Sequence, residues 1–91
     1  MTVQDALFNW LQIKIVADAR PEDGAARETV AFFEQVLRED HRAERVEIAD
    51  KDDTMIHVRY ETEGKGKRQM FDRHIAEKLL SDIEAEPKYG I

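Results

Sequence analysis

The 91-residue chain contains no cysteine, which excludes disulfide bonds, thiol catalysis and cysteine-ligated metal sites. Packing alone must therefore stabilise the fold, and the cytoplasm, where thiols stay reduced, is the expected compartment. Long apolar runs are absent too, and none approaches the roughly 20 residues that a helix needs to cross a bilayer. No basic stretch precedes an apolar segment after Met1, so we expect neither a targeting segment nor a membrane partner.

Charge of both signs is plentiful but unevenly distributed. Apolar residues form 42% and charged residues 37% of the chain, a balance typical of a soluble globular domain. The net charge is -6; residues 1–41 carry eight acidic and four basic side chains, whereas residues 60–78 carry four acidic and five basic ones. An acidic body with one basic segment disfavours broad contact with a phosphate backbone. At this length we expect one domain, 1–91, whose thin core a homodimer would extend.

Two helices are predicted in the acidic front half. Thr2 and Asp5 match a capping box, and the apolar residues that follow cover most of the circumference of a helix over 2–19. Residues 10–16 also alternate as a strand would, so a strand is the alternative there. After a Pro-Glu-Asp-Gly turn, an apolar residue at every third or fourth position predicts a second helix over 25–40.

After the second helix the apolar period shortens to two, which is typical of β-strands. This alternation predicts three strands, over about 45–49, 55–62 and 67–71. Placing Ile48 opposite Ile56 puts the apolar side chains of the first two strands on one face of the sheet.

A glycine-rich turn, Gly64-Lys65-Gly66, is expected to return the chain into the third strand. The resulting register places Met70 beside Tyr60 and Lys67 opposite Glu63. A last helix is predicted over 73–85, with Asp72 as its N-cap and Pro87 beyond its end. Its predicted buried stripe consists of Ile75, Ala76, Leu79, Leu80 and Ile83.

The predicted fold class is α+β. The elements form a single small domain in the order α-α-β-β-β-α. We expect a three-stranded antiparallel sheet that is packed by helices on one face, with its other face in solvent.

The three histidines, His41, His57 and His74, assemble no recognisable catalytic or metal motif. Their spacing matches neither H-x-x-x-H nor H-E-x-x-H, and each lies in a different element. His57 is expected opposite Glu47 on the solvent face, an arrangement more typical of a cross-strand pair than of a catalytic dyad. We therefore expect no enzymatic activity, no bound metal and no cofactor.

Two loops match ligand-binding sequences only in part. Residues 50–61 place acidic or hydroxyl side chains at four ligand positions of a calcium loop, but Met55 stands where that loop needs glycine. Gly64-Lys65-Gly66 could hold a phosphate through its amides, yet it lacks the ending and the strand-to-helix position of a phosphate loop. A solvated hairpin loop is the favoured interpretation of both.

Residues 25–85 follow the order α-β-β-β-α, which is similar to that of double-stranded-RNA-binding domains. The resemblance implies contact with an RNA duplex through a glycine-rich turn and a basic helix start. The chain departs from that family's basic stretch at the last helix, where it has Gln69-Met70-Phe71-Asp72-Arg73. A nucleic-acid-binding module is therefore the alternative function, and its contact residues would be Lys65, Lys67, Arg68, Arg73 and Lys78.

The first helix carries the predicted protein interface. Its apolar arc is wider than a single neighbouring element covers, and aromatic side chains concentrate in interfaces. The predicted contact residues are Leu7, Phe8, Trp10 and Leu11. The sequence therefore favours a small non-enzymatic domain that binds a protein partner or forms a homodimer through this helix and the sheet edge.

Overall fold

Three helices and three strands follow one another in the predicted order. The structure is a computed structural model that describes residues 1–86, so Pro87 and the tail after it lie outside the described residues. The helices are α1 (Val3–Ala19), α2 (Gly24–His41) and α3 (Arg73–Ala85), and the strands are β1 (Ala43–Lys51), β2 (Met55–Thr62) and β3 (Lys65–Asp72). The predicted α+β class is confirmed. The strand alternative for 10–16 is wrong, because α1 is continuous there.

Local side chains define where each helix begins. Thr2 and Asp5 form the predicted capping box, in which the Thr2 hydroxyl accepts from the Asp5 amide at 3.0 Å. Asp23 caps α2 and Asp72 caps α3, each by accepting a backbone N–H from three residues further along. These bonds satisfy N–H groups that a helix start leaves without partners. At the other end of α2, Arg42 adopts the left-handed conformation (φ 53) that terminates many helices.

The sheet has the order β1-β2-β3, with β2 in the centre and both pairs antiparallel. The predicted register between β1 and β2 is wrong, because Ile48 faces Val58 and Ile56 faces Lys51. Two irregularities in β1, after Glu44 and after Ile48, shift the pairing along the strand. Sequence alternation alone does not reveal such inserted residues.

β2 and β3 pair without any irregularity over all eight residues. The predicted register is wrong here too, since Met70 faces His57 and Lys67 faces Tyr60. The turn contains only Glu63 and Gly64, so β3 begins two residues earlier than predicted. Both turn residues have positive φ (53 and 77), as a two-residue type I′ turn requires.

α1 is the centre of the helical layer. It packs between α2 and α3, and it shares one apolar cluster with the inner face of β2. Trp10 is fully buried in this cluster, and its Nε1 donates to Oε2 of Glu34 at 3.1 Å. A second cluster, around Val16, joins the far end of α1 to α2 and α3. The predicted stripe of α3 is wrong at Ile75, which is 55% exposed because Ala76 takes the inward position of that turn.

Candidate interaction surface

The two edges of the sheet differ in backbone regularity. β1 contains both irregularities of the sheet, and Arg45 in the first of them has positive φ (54). Irregularities of this kind twist a strand and interrupt its row of N–H and C=O groups. β1 is therefore a poor template for another strand.

β3 is regular along its whole length, and no strand within residues 1–86 pairs with its outer side. The two-residue turn makes Thr62 and Lys65 the hydrogen-bonded pair that closes the hairpin. From Lys65 onward, every second residue of β3 therefore directs its backbone N–H and C=O groups toward β2. The four residues between direct theirs outward, and we call them the outward row: Gly66, Arg68, Met70 and Asp72.

Every member of the outward row is exposed to solvent. Their side chains lie on the sheet face opposite Ile56, Val58 and Tyr60, the buried residues of β2, because side chains alternate between faces along a strand. The sheet therefore presents unpaired backbone groups along an accessible edge, with these side chains on its open face.

Exposed apolar surface lies at the carboxyl end of this edge. Met70 is 54% exposed in the strand, and Ile75, in the first turn of α3, is 55% exposed. An unpaired strand can accept a further strand, which would also cover apolar side chains beside it. The edge of β3 therefore combines unpaired backbone groups with apolar side chains that a partner could cover.

The charged residues of β3 also lack partners. Lys65, Lys67 and Arg68 form no ion pair within residues 1–86. Asp72 uses Oδ1 to accept from the Ile75 amide at 2.9 Å, and its Oδ2 accepts no hydrogen bond from the described residues. Both a cation and a carboxylate oxygen of the outward row are thus available to a partner.

The residues of the predicted helix interface lie mainly in the core. Leu7, Trp10 and Leu11 have no exposed area, because α2, α3 and the sheet cover the wide apolar arc of α1. Phe8 is half-buried, with its ring centroid 5.8 Å from that of Phe71. Of the four predicted residues, only Phe8 can therefore contact a partner without opening the fold.

The structure divides the residues of the predicted nucleic-acid surface into two groups. Lys65, Lys67 and Arg68 lie together in the first half of β3. Arg73 is held at the start of α3, where its Nη1 donates to the Asp52 carbonyl at 2.9 Å and its Nε lies 3.2 Å from a Glu77 carboxylate oxygen. Lys78 pairs with Asp82 at 2.8 Å.

Asp52 stabilises the loop between β1 and β2, whose sequence partly matches a calcium loop. Its carboxylate accepts the backbone N–H groups of Thr54 and Met55 at 2.9 and 2.7 Å. These bonds, with a smaller contribution from His57, lower the pKa of Asp52 to about 2. His57 Nε2 lies 3.3 Å from Asp52 Oδ2, so the predicted pairing of His57 with Glu47 is wrong. The carboxylate of Asp52 thus closes a hairpin turn, and Glu47 pairs with Arg59 instead.

A cleft of about 580 Å³ lies at the opposite end of the sheet from Asp52. It is lined by Arg38, Arg42, Arg45, Glu44, Glu61, Glu63 and Gly64. The arginines and glutamates are equal in number, and two exposed pairs, Arg42–Glu63 and Arg45–Glu61, join them at 3.5 and 3.4 Å. A cleft with balanced charge has little electrostatic preference for an anion or a cation.

Sequence reasoning named the sheet edge but missed Gly66, Met70 and Asp72 as its outward row. The Glu63-Gly64 dipeptide was the available signal, because a two-residue turn there fixes which residues of β3 point outward. The position of β3 at the edge of the sheet depends on the tertiary structure, which no local sequence pattern predicts.

The described residues contain no metal-binding cluster and no membrane-spanning helix. Within residues 1–86, no group of three or more His, Asp or Glu side chains could hold a metal ion. No helix there is long and apolar enough to cross a bilayer. Comparisons of the chain with protein-family models, with curated proteins and with solved structures find no match.

Proposed function

We propose that this chain is a non-enzymatic interaction domain that binds an extended segment of a protein along the outer edge of β3. The observation that carries the proposal is the regular, exposed outward row, on a sheet whose other edge is interrupted. An added strand would pair with backbone groups that otherwise face water. The proposal places the interface on the sheet edge, next to Phe71 and Ile75.

The energetics of such an interface are favourable but modest. Each backbone hydrogen bond contributes net about 0.5–1.5 kcal/mol. The outward row offers N–H groups from four residues and C=O groups from three, because the C=O of Asp72, the N-cap of α3, accepts the first bond of that helix. Covering the exposed parts of Met70 and Ile75 adds about 1 kcal/mol for each side chain. After the cost of ordering two chains, these terms support a reversible complex rather than a permanent one.

One further feature supports a non-enzymatic function, and another supports a cytoplasmic location. Among residues 1–86 the most perturbed carboxylate is that of Asp52, and its lowered pKa follows from the backbone N–H groups that it accepts in its own turn. A chain without cysteine gains no stability from an oxidising compartment, which supports a cytoplasmic location.

The proposal is tested by blocking the edge without disturbing the fold. In Met70→Pro the proline ring replaces an outward N–H, while every N–H that pairs with β2 is retained. Met70→Leu is the matched control, because it keeps the N–H and the apolar surface. Tagged wild type and both variants are incubated with the same nuclease-treated cell lysate, and the bound proteins are quantified by mass spectrometry.

We expect proteins captured by the wild type and by Met70→Leu to be at least tenfold depleted on Met70→Pro. Circular dichroism establishes that both variants are folded. Equal capture by a folded Met70→Pro protein would show that the edge of β3 is not the binding surface.

Nucleic-acid binding is the second candidate, and it is favoured because Lys65, Lys67 and Arg68 form no ion pair with any residue of the described range 1–86. Three phosphate contacts predict that log affinity falls with log salt at a slope of roughly 3. Fluorescence anisotropy with a labelled RNA duplex at low salt measures this slope. Loss of binding in a variant with Gln at all three positions supports the candidate, and no binding by the wild type refutes it.

A further inference from the structure

We infer that the strand bound at the edge of β3 is the β3 strand of a second copy of this chain, paired antiparallel with Met70 on the two-fold axis. This inference rests on the proposed function, because it names the partner of the same edge. The observations that support it are the regular backbone of β3 and the opposite charges of Arg68 and Asp72 on either side of Met70.

Backbone geometry limits how two copies of β3 can pair. Facing residues in an antiparallel pair direct their backbone groups either both toward each other or both away. Only the outward row directs backbone groups away from β2. Each of its residues must therefore face a residue of the second copy that lies in the same row or at an alternate position beyond its end. The two-fold axis is therefore perpendicular to the sheet. The helices of both copies then cover one face of a continuous six-stranded sheet.

Centring the axis on Met70 gives complementary pairs. Met70 faces Met70 of the second copy, so the two side chains, each 54% exposed in the single chain, cover one another. On either side, Arg68 of one copy faces Asp72 of the other. Among the described residues, Arg68 has no ion-pair partner and Oδ2 of Asp72 has no hydrogen-bond donor. The pair therefore forms without breaking an existing contact.

The neighbouring registers are less complementary. Centring the axis on Arg68 places two arginines directly opposite each other, which is destabilising. Centring it on Gln69 brings Lys65 opposite Arg73 and leaves Met70 beside a charged Arg68. The Met70 register places Lys67 opposite Arg73, but Arg73 lies beyond the strand and is already paired with Glu77. The pairing thus extends from 68 to 72.

The absence of native cysteine makes a direct test of the register simple. In Met70→Cys, the two introduced thiols face each other across the axis, at a separation near that of a disulfide. Arg68→Cys is the comparison variant, since Arg68 is also exposed in the monomer but lies four residues from its counterpart in the proposed register. Both proteins are treated with a mild oxidant at equal concentration, and covalent dimer is quantified over time by non-reducing electrophoresis.

We expect Met70→Cys to form covalent dimer at least tenfold faster than Arg68→Cys. Sedimentation equilibrium of the unmodified chain should show a monomer–dimer equilibrium that Arg68→Glu shifts toward monomer by at least tenfold in Kd. Circular dichroism shows whether each variant is folded.

Three outcomes would overturn the inference. Faster cross-linking of Arg68→Cys would place a different residue on the axis. Equal, slow cross-linking of both variants would show that the strands do not pair in this register. A wild-type protein that stays monomeric at high concentration would show that the partner is a different protein. The proposed function survives each of these if Met70→Pro still loses the captured proteins, and it fails separately if Met70→Pro does not.

Discussion

β1 and β3 are the two edges of the same sheet, and they meet solvent in different ways. β1 is irregular at two places, whereas β3 is regular and has an exposed outward row. Proteins commonly protect sheet edges with irregularities, charges or covering elements. Here backbone irregularities protect β1, whereas the protection of β3 is limited to charged side chains on either side of the exposed Met70. The difference indicates that β3 is the edge available for pairing.

The same contrast holds for the two turns that flank β2. A side chain closes the β1–β2 turn, where the Asp52 carboxylate accepts two backbone N–H groups. The backbone itself forms the β2–β3 turn, through the positive φ of Glu63 and Gly64. The tight second turn fixes the register of β3 and therefore fixes which of its residues face outward.

The largest expected effect comes from proline on the two sides of β3. Gln69→Pro removes an N–H that pairs with β2 and should lower the free energy of unfolding by about 3 kcal/mol. Met70→Pro, on the outward side, should cost less than about 1 kcal/mol. Urea unfolding followed by the fluorescence of Trp10, the single tryptophan, measures both. Equal losses would contradict the assignment of inward and outward residues.

Asp72 has two roles at the carboxyl end of β3: it caps α3, and in the proposed dimer it faces Arg68 of the second copy. Asp72→Ala removes the N-cap of α3 and should lower the free energy of unfolding by about 1 kcal/mol, whereas Asp72→Asn keeps the cap and should change it by a few tenths. Both variants should weaken the dimer, because each removes the charge that faces Arg68. Urea unfolding and sedimentation equilibrium check the two effects independently. A dimer of unchanged affinity in both variants would contradict the predicted ion pair.

The tight turn can be improved without touching the edge. Glu63→Asn creates the Asn-Gly dipeptide that type I′ turns prefer and should raise the free energy of unfolding by about 0.5 kcal/mol. It removes only the Arg42–Glu63 pair, whose side chains are 78% and 71% exposed and contribute little. Glu63→Ala is the control, since it loses the same pair without gaining a turn former. Equal unfolding midpoints for Asn and Ala would contradict the turn assignment.

The smallest expected effect is a change in melting temperature in acid. Because the pKa of Asp52 falls from 3.8 to about 2 on folding, its carboxylate stabilises the fold above pH 4 and stops doing so as pH falls toward 2. The difference in melting temperature between the wild type and Asp52→Asn should therefore shrink between pH 4 and pH 2. A difference that stays constant over this range would show that the charge of Asp52 does not stabilise the turn.

The sequence predicted the parts of the fold that local interactions determine. Thr2 and Asp72 bind nearby amides, so the helix starts could be located without knowledge of the tertiary structure. The register of β1 could not be predicted, because its irregularities depend on how Ile48 and its neighbours meet β2. The exposure of the first helix was also misjudged, since burial of Trp10 depends on two other helices and the sheet.

In the proposed dimer, the edge of β3 pairs with a second copy while the edge of β1 stays free. Amide hydrogen exchange, measured residue by residue by NMR at increasing protein concentration, tests it most directly. The N–H groups of Arg68, Met70 and Asp72 should exchange rapidly in dilute solution and become protected as concentration rises. The Gly66 N–H, which lies beyond the proposed pairing, and the amides on the free edge of β1 should exchange at the same rate throughout. Rapid exchange at Arg68, Met70 and Asp72 at every concentration would contradict the proposed dimer.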